Sequence, residues 1–314
     1  MNPVKVCFLG TPEFAAVHLR SLLKNENFKV VGVVTQPDRP AGRKLQLTPS
    51  AVKLVALENN LPLLAPESLK KSPEIFQIIK LWQADIAVVV AYGQILSQEF
   101  LDSFKFGAVN VHGSLLPLWR GAAPIQRSIE AGDIETGVTL QRMVKKLDAG
   151  PVIAKRVVKL NDEITATELY EKLAVLGSEL LEQDLLKYTK NEIKTEEQDE
   201  LKVSFAKKIE KAEALLSWNL PATTIHHRVR AFSMGPGTYV IFKGKRLKIH
   251  KTKVQDNAAV GVLGSVVLAD ESELNIQTAL GVITLLELQP ESKSKMTTPE
   301  FLKYLTIKKG DIFV

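Results

Sequence analysis

The chain has 314 residues, 45% of them hydrophobic and 24% charged, with a formal net charge of +6 at pH 7. That length allows two domains and a large core, and the composition is ordinary for a soluble protein. A single cysteine, Cys7, excludes an internal disulfide framework; no apolar run approaches bilayer length and no secretory leader opens the chain, so a reducing cytoplasm is expected.

The positive excess is local. Residues 201–314 carry 17 Lys and Arg against 10 Asp and Glu. A basic module suits a polyanionic partner such as nucleic acid, although a lysine-rich soluble surface gives the same count.

In chain order, the apolar run Val4–Leu9 predicts a first strand, and Gly10-Thr11-Pro12-Glu13 a turn into a helix capped by Thr11. The opening is Rossmann-type, but it lacks the glycine triplet of a dinucleotide site and no phosphate-loop motif occurs, so neither NAD nor ATP is assigned. A second strand, Val30–Val34, leads into a proline-rich loop, Thr35–Lys44, that carries Arg39, Arg43 and Lys44. These cations suit contact with an anion; a solvated connection to the helix beginning near Pro49 would look the same.

Ser72-Pro73-Glu74 starts a further helix, with Ile75, Ile78 and Trp82 expected to face inward. Ile86–Val90 is the unbroken apolar run of a central parallel strand, and Ser97 can cap the helix that follows. Next comes the strand Ala108–His112, where Asn110 and His112, two apart, share one face. Gly113, Ser114 and Pro117 end it, leaving an amide and an imidazole at the carboxyl end of a strand, where open α/β sheets bind ligands. An imidazole moves protons near neutral pH and an amide can hold an oxyanion, a pairing that suggests acyl transfer. A strand end whose polar groups merely satisfy one another is the competing interpretation.

A short helix ending near Gly132 and strands at Gly137–Met143 and Val152–Val158 follow. Between those strands lies Asp148, which suits either turn chemistry or a carboxylate that orients His112. Thr165 and Glu168 fit a capping box, followed by leucines at helical spacing through Leu180. Alternating strands and helices predict an α/β fold, with a Rossmann-like, doubly wound, mostly parallel sheet over residues 1–188. The charged stretch 189–203 is expected to be a linker. Beyond it, over 204–314, a helix at Ala222–Phe232 and five short strands suit a small OB-like β-barrel, used for nucleic acid or for packing alone. Lys207, Lys208 and Arg246 are its candidate RNA contacts.

Taken together, Asn110–Pro117, the run Trp119-Arg-Gly-Ala-Ala-Pro-Ile-Gln126 and Asp148 resemble the folate-dependent formyltransferases. Gly10–Phe14 and Thr35–Arg43 narrow the resemblance to the branch that acts on methionyl-tRNA, and it covers essentially the whole chain. It implies transfer of a formyl group from 10-formyltetrahydrofolate to the α-amino group of methionyl-initiator tRNA. Asn110, His112 and Asp148 would be catalytic. Ser114, Leu115, Leu116 and Pro117 would bind the folate, with Tyr92, Gly93 and Ile95 of the segment Tyr92–Leu96 adding backbone contacts, and the loop holding Arg39, Arg43 and Lys44 would meet the tRNA. No metal is expected, because the ligand clustering of a metal site is missing, and a monomer is expected. The rivals are a formyltransferase for a small amine, such as glycinamide ribonucleotide or an amino sugar, and a non-catalytic RNA-binding protein. The basic loop and barrel speak against the first, the intact trio against the second.

Overall fold

Unbroken apolar runs, short helices with one apolar side, and turns rich in Gly and Pro set the order of elements. The computed structural model describes residues 2–41, 46–255 and 261–314. Strand β1 (Val4–Gly10) leads through α1 (Glu13–Lys24) to β2 (Phe28–Val34). The proline-rich loop then forms a small antiparallel hairpin, β3 (Arg39–Ala41) and β4 (Gln46–Thr48), before α2 (Ala51–Glu58) and β5 (Leu63–Leu64). Next are α3 (Pro73–Leu81), β6 (Ile86–Val90), α4 (Gln98–Asp102) and β7 (Ala108–His112). They are followed by β8 (Arg120–Gly121), α5 (Pro124–Ala131), β9 (Glu135–Arg142) and β10 (Val152–Lys159). Then α6 (Ala166–Leu180) passes through a π-helical turn, Leu181–Leu185, into α7 (Leu186–Thr189).

The main sheet runs β10-β9-β7-β6-β1-β2-β5. Strands β5, β2, β1, β6 and β7 are parallel neighbours, and β9 lies antiparallel to β7. The order reverses at β1 and β6, which makes the topological switch at whose carboxyl edge α/β sheets bind ligands. All five residues of β6 are buried, as its continuous apolar sequence requires. Each fully buried Val or Ile there contributes about 1.5–3 kcal/mol of transfer free energy.

Local signals behave unevenly. Ser97 accepts from Phe100 N at 3.1 Å and caps α4, and Ser50 caps α2. Thr11 does not cap α1: Pro12 holds the N-cap position, and the Thr11 hydroxyl donates instead to the Tyr92 carbonyl at 3.3 Å. On α3 the buried side chains are Phe76 and Ile79, one face at i and i+3, while Ile78 is exposed and Ile75 and Trp82 are only partly covered.

Two compact units partition the chain. The first comprises Met1–Pro124, Glu135–Val158 and Tyr170–Ala206; the second comprises Ile125–Ile134, Lys159–Leu169 and Lys207–Val314. The stretch 189–203 therefore folds with the first unit instead of linking the two. Glu196 exchanges backbone hydrogen bonds with Val152 at 2.7 and 2.8 Å, and β11 (Phe205–Ala206) pairs in parallel with β8. Backbone pairing, which leaves no apolar period, holds this segment.

In the second unit, Thr165 and Glu168 close the expected capping box with bonds of 2.8 and 3.3 Å. Helix α8 (Ala222–Ala231) precedes antiparallel strands β12 (Thr238–Phe242), β13 (Lys245–Gln255), β14 (Val266–Ala269), β15 (Leu274–Gln277), β16 (Val282–Pro290) and β17 (Met296–Thr297), and α9 (Thr298–Tyr304) follows. The path β12-β13-β16-β15-β14 curls into a barrel-like domain. Its two ends meet through the last residues: Ile241 and Val314 exchange backbone bonds, and Val266 N donates to Asp311 O at 2.8 Å. Phe313, 1% exposed, stacks on Phe242 at 4.3 Å inside that closure.

One buried ionisable group in the first unit sets a pH dependence. His18 is fully buried, its Nδ1 donating to the Phe14 carbonyl at 2.7 Å, and burial lowers its pKa from 6.5 to about 4. The unfolded chain takes up this proton before the folded one does, so stability is full above pH 6.5 and falls as the pH drops towards 4. The loss amounts to about 3 kcal/mol. Denaturant unfolding at pH 7 and pH 4.5 measures it: His18→Asn should flatten that part of the profile, and an unchanged slope would refute the assignment.

Candidate active site

Antiparallel register builds the site's floor. Asn110 and His112 of β7 stand opposite Gln141 and Thr139 of β9, so four polar residues occupy corresponding positions on neighbouring strands. All four are buried. On the opposite face of β9, Val138 and Leu140 alternate with Thr139 and Gln141 and are both fully buried.

Asp148 reaches this floor from the turn after β9. Its Oδ1 accepts from Gln141 Nε2 at 3.3 Å and from Asn110 Nδ2 at 3.5 Å. Its Oδ2 accepts from Gly121 N at 2.9 Å and lies 3.8 Å from His112 Nδ1. On the ring's other side, His112 Nε2 is 2.9 Å from the Trp119 carbonyl. A carbonyl only accepts, so Nε2 carries the hydrogen in this contact and Nδ1 faces the carboxylate. Asp148 and Trp119 both have left-handed backbones, at φ 45° and 60°, a conformation that costs a non-glycine residue about 1–3 kcal/mol and is kept by its surroundings. The three residues expected to be catalytic thus converge at the carboxyl end of β7.

The Ser114–Pro117 run leaves that end as a tightly fastened loop. Ser114 Oγ donates to Leu118 O at 2.6 Å, and Thr139 Oγ1 donates to Ser114 O at 2.6 Å while accepting from Leu116 N at 3.1 Å. Lys155 Nζ donates to Leu116 O, and burial lowers this lysine's pKa. Ser114 and Leu116 are both fully buried, so they fasten the loop from within, whereas Leu115 and Pro117 are partly exposed.

The segment after β6 alternates in the same way. The Tyr92 side chain is 2% exposed and packs in the apolar core with Cys7, Leu9 and Phe100, which leaves its backbone as the part that could meet a ligand; burial pushes its hydroxyl's pKa up. Gln94 is anchored by Leu69 N at 2.8 Å and Pro66 O at 3.0 Å, and Leu96 is buried. Gly93 and Ile95 are left facing solvent. Gly93 has φ 81°, and a Cβ there would lie 2.5 Å from Gln36 Nε2, which donates to Tyr92 O at 2.8 Å. Gln36, Thr139, Gln141 and Lys155 are site residues that sequence reasoning missed. For Thr139 and Gln141 a signal existed: two polar residues, two apart, flanking Leu140 and sharing one face of a strand.

Of the candidate tRNA contacts, Arg39 is exposed and ion-paired to Glu67 at 2.7 Å; Arg43 and Lys44 lie outside the described residues. Lys207, Lys208 and Arg246 are exposed in the second unit, with Arg246 stacked 4.0 Å from the Tyr239 ring centre. Among the described residues no His, Cys, Asp and Glu cluster could hold a metal ion, and no helix is long and apolar enough to cross a membrane.

Residues 4–185 match the formyl transferase family, and residues 208–305 match the formyl transferase C-terminal domain family. The methionyl-tRNA formyltransferase of Bdellovibrio bacteriovorus is 55% identical over 314 residues, covering 99% of each chain. Among solved structures, the sugar 3N-formyl transferase WlaRD, crystallised with dTDP and 5-N-formyl-THF, superposes with a TM-score of 0.67 at 22% identity, covering 93% of this chain and 99% of its own. The phosphoribosylglycinamide formyltransferase of Anaplasma phagocytophilum gives 0.52 at 20% identity, over 63% of this chain and 96% of its own. At such identities the likeness is one of fold. Matched by the family over more than half its length, and by a relative over nearly all of it, this chain belongs to the formyl transferase family, in its methionyl-tRNA formyltransferase branch.

Proposed function

We propose that this protein transfers the formyl group of 10-formyltetrahydrofolate to the α-amino group of methionyl-initiator tRNA, supporting translation initiation. The observation that carries the proposal is the convergence of Asn110 and His112 on the Asp148 carboxylate, at 3.5 and 3.8 Å. Folate as the donor fits the exposed Gly93 and Ile95 beside the fastened Leu115–Pro117 loop, on segments leaving adjacent parallel strands. The folate supplies the formyl group on a nitrogen leaving group. A solved relative of the same fold was crystallised with a formylated tetrahydrofolate.

In the reaction the methionyl nitrogen bonds to the formyl carbon and the bond from that carbon to the folate nitrogen breaks. One proton moves from the amine to the leaving nitrogen. Asn110 directs one amide hydrogen towards Asp148; its other hydrogen serves the formyl oxygen as negative charge builds there. His112, faced by Asp148, carries the proton directly or through one water. The exposed Lys207, Lys208 and Arg246 support a tRNA acceptor over a small amine, as does the 55% identity to a methionyl-tRNA formyltransferase. Arg39, Arg43 and Lys44 remain proposed contacts of the acceptor end.

Transfer of labelled formyl from 10-formyltetrahydrofolate is the test, with methionyl-tRNA, free methionine and small amines as acceptors. Labelling of the tRNA alone is expected. Comparable kcat/KM on small amines would favour the small-acceptor reading, and salt-sensitive RNA binding without transfer would favour a non-catalytic one. In the same assay, Asn110→Ala should lower kcat about 100- to 1000-fold with tRNA affinity retained. Near-normal turnover would remove Asn110 from the mechanism.

A further inference from the structure

Arg120 is 1% exposed, and the geometry of the chain does not use it as an ordinary buried ion pair. Its carboxylate partner, Glu200, is 2.9 Å away, more than half exposed and shared with Lys146 at 2.6 Å. Burying a guanidinium for so open a partner is poor compensation for its desolvation. Beside that one exposed carboxylate, Arg120 is held by a neutral partner: Nε and Nη2 donate to Gln198 Oε1 at 3.0 and 2.9 Å.

Those two bonds fix a direction. A guanidinium has donors and no acceptor, so the Gln198 amide must turn its oxygen to Arg120 and its nitrogen away. Gln198 Nε2 then donates to Asp148 O at 2.8 Å and Gly150 O at 2.7 Å, with a longer contact to Gln141 Oε1 at 3.3 Å. Gln141, presenting its oxygen to Gln198, must present its nitrogen to Asp148 Oδ1, at 3.3 Å. One fixed charge therefore orients two amides in series, and both deliver their donors to Asp148.

The turn it grips has little slack. A Cβ at Gly150 would stand 1.8 Å from the Arg142 carbonyl, and Asp148 holds φ 45°. Resting on the proposed reaction, we infer that Arg120 and Gln198 are positioning residues: they set the placement of the Asp148 carboxylate against His112 and Asn110 without touching substrate. Arg120, Gln141, Asp148 and Gln198 come from three stretches of chain within the first unit.

Gln198→Glu tests this. The substitution keeps size and keeps an acceptor for Arg120, while removing both hydrogens given to the Asp148 turn. The expected result is a kcat lowered about 10- to 100-fold, with KM for folate and tRNA within about twofold and the thermal midpoint nearly unchanged. The ring ¹⁵N shifts of His112 should move as Asp148 withdraws, and they are read without any turnover. Glu200→Gln, which leaves the Arg120–Gln198 bonds in place, should change neither kcat nor the ring shifts. Gln198→Asn, one methylene shorter, carries the same expectation as Gln198→Glu if that variant does not fold. Wild-type kcat with unmoved His112 shifts would overturn the inference, as would equal losses in the Gln198 and Glu200 variants that follow stability alone. Wild-type protein that transfers no formyl group would instead refute the proposed reaction, while the His112 shifts would still decide this inference.

Discussion

A single carboxylate gathers the site. Asp148 accepts from the backbone of Gly121 and from the side chains of Asn110 and Gln141, and it faces His112. These contacts join a strand end, its antiparallel neighbour and the loop beyond Trp119. A carboxylate only 13% exposed is costly to leave without hydrogen-bond donors, and here one backbone N–H and two side-chain amides supply them. The turn that carries it has a left-handed backbone at Asp148 and a close approach at Gly150.

The fold provides the platform. Parallel β6 and β7 direct the segments after them to one edge of the sheet, beside the switch at β1. Antiparallel β9 then adds a second row of polar side chains in register with the first. Thr139 and Lys155 fasten the loop after β7 from below, so Leu115 and Pro117 are presented outward by a scaffold that cannot slide. A site assembled on strands and pinned loops is preorganised for charge that develops only during reaction.

Signals confined to a few neighbouring residues were legible in the sequence. Ser97 as a cap, the Thr165–Glu168 box, the apolar run of β6 and the shared face of Asn110 and His112 all follow from local periodicity and stereochemistry. Asp148 was visible as a candidate, but its contacts depend on chain segments far apart. Tyr92 illustrates the limit: a loop after a strand shows where the backbone goes, not which side chains turn back into the core. Gln198 is the stronger case. Its surroundings are polar and charged, without apolar period, and its role arises only from partners 48–78 residues away. The same holds for the stretch 189–203, which hydrogen bonds, not apolar packing, tie to the first unit.

The account depends most directly on the charge of the Asp148 side chain, as opposed to its shape. Single-turnover formyl transfer by Asp148→Asn, at saturating 10-formyltetrahydrofolate and methionyl-tRNA, isolates that property. A rate lowered at least about 100-fold, with both substrates still bound, is the predicted result. A rate within a fewfold of wild type would contradict the account, because a neutral amide could then do everything assigned to the carboxylate.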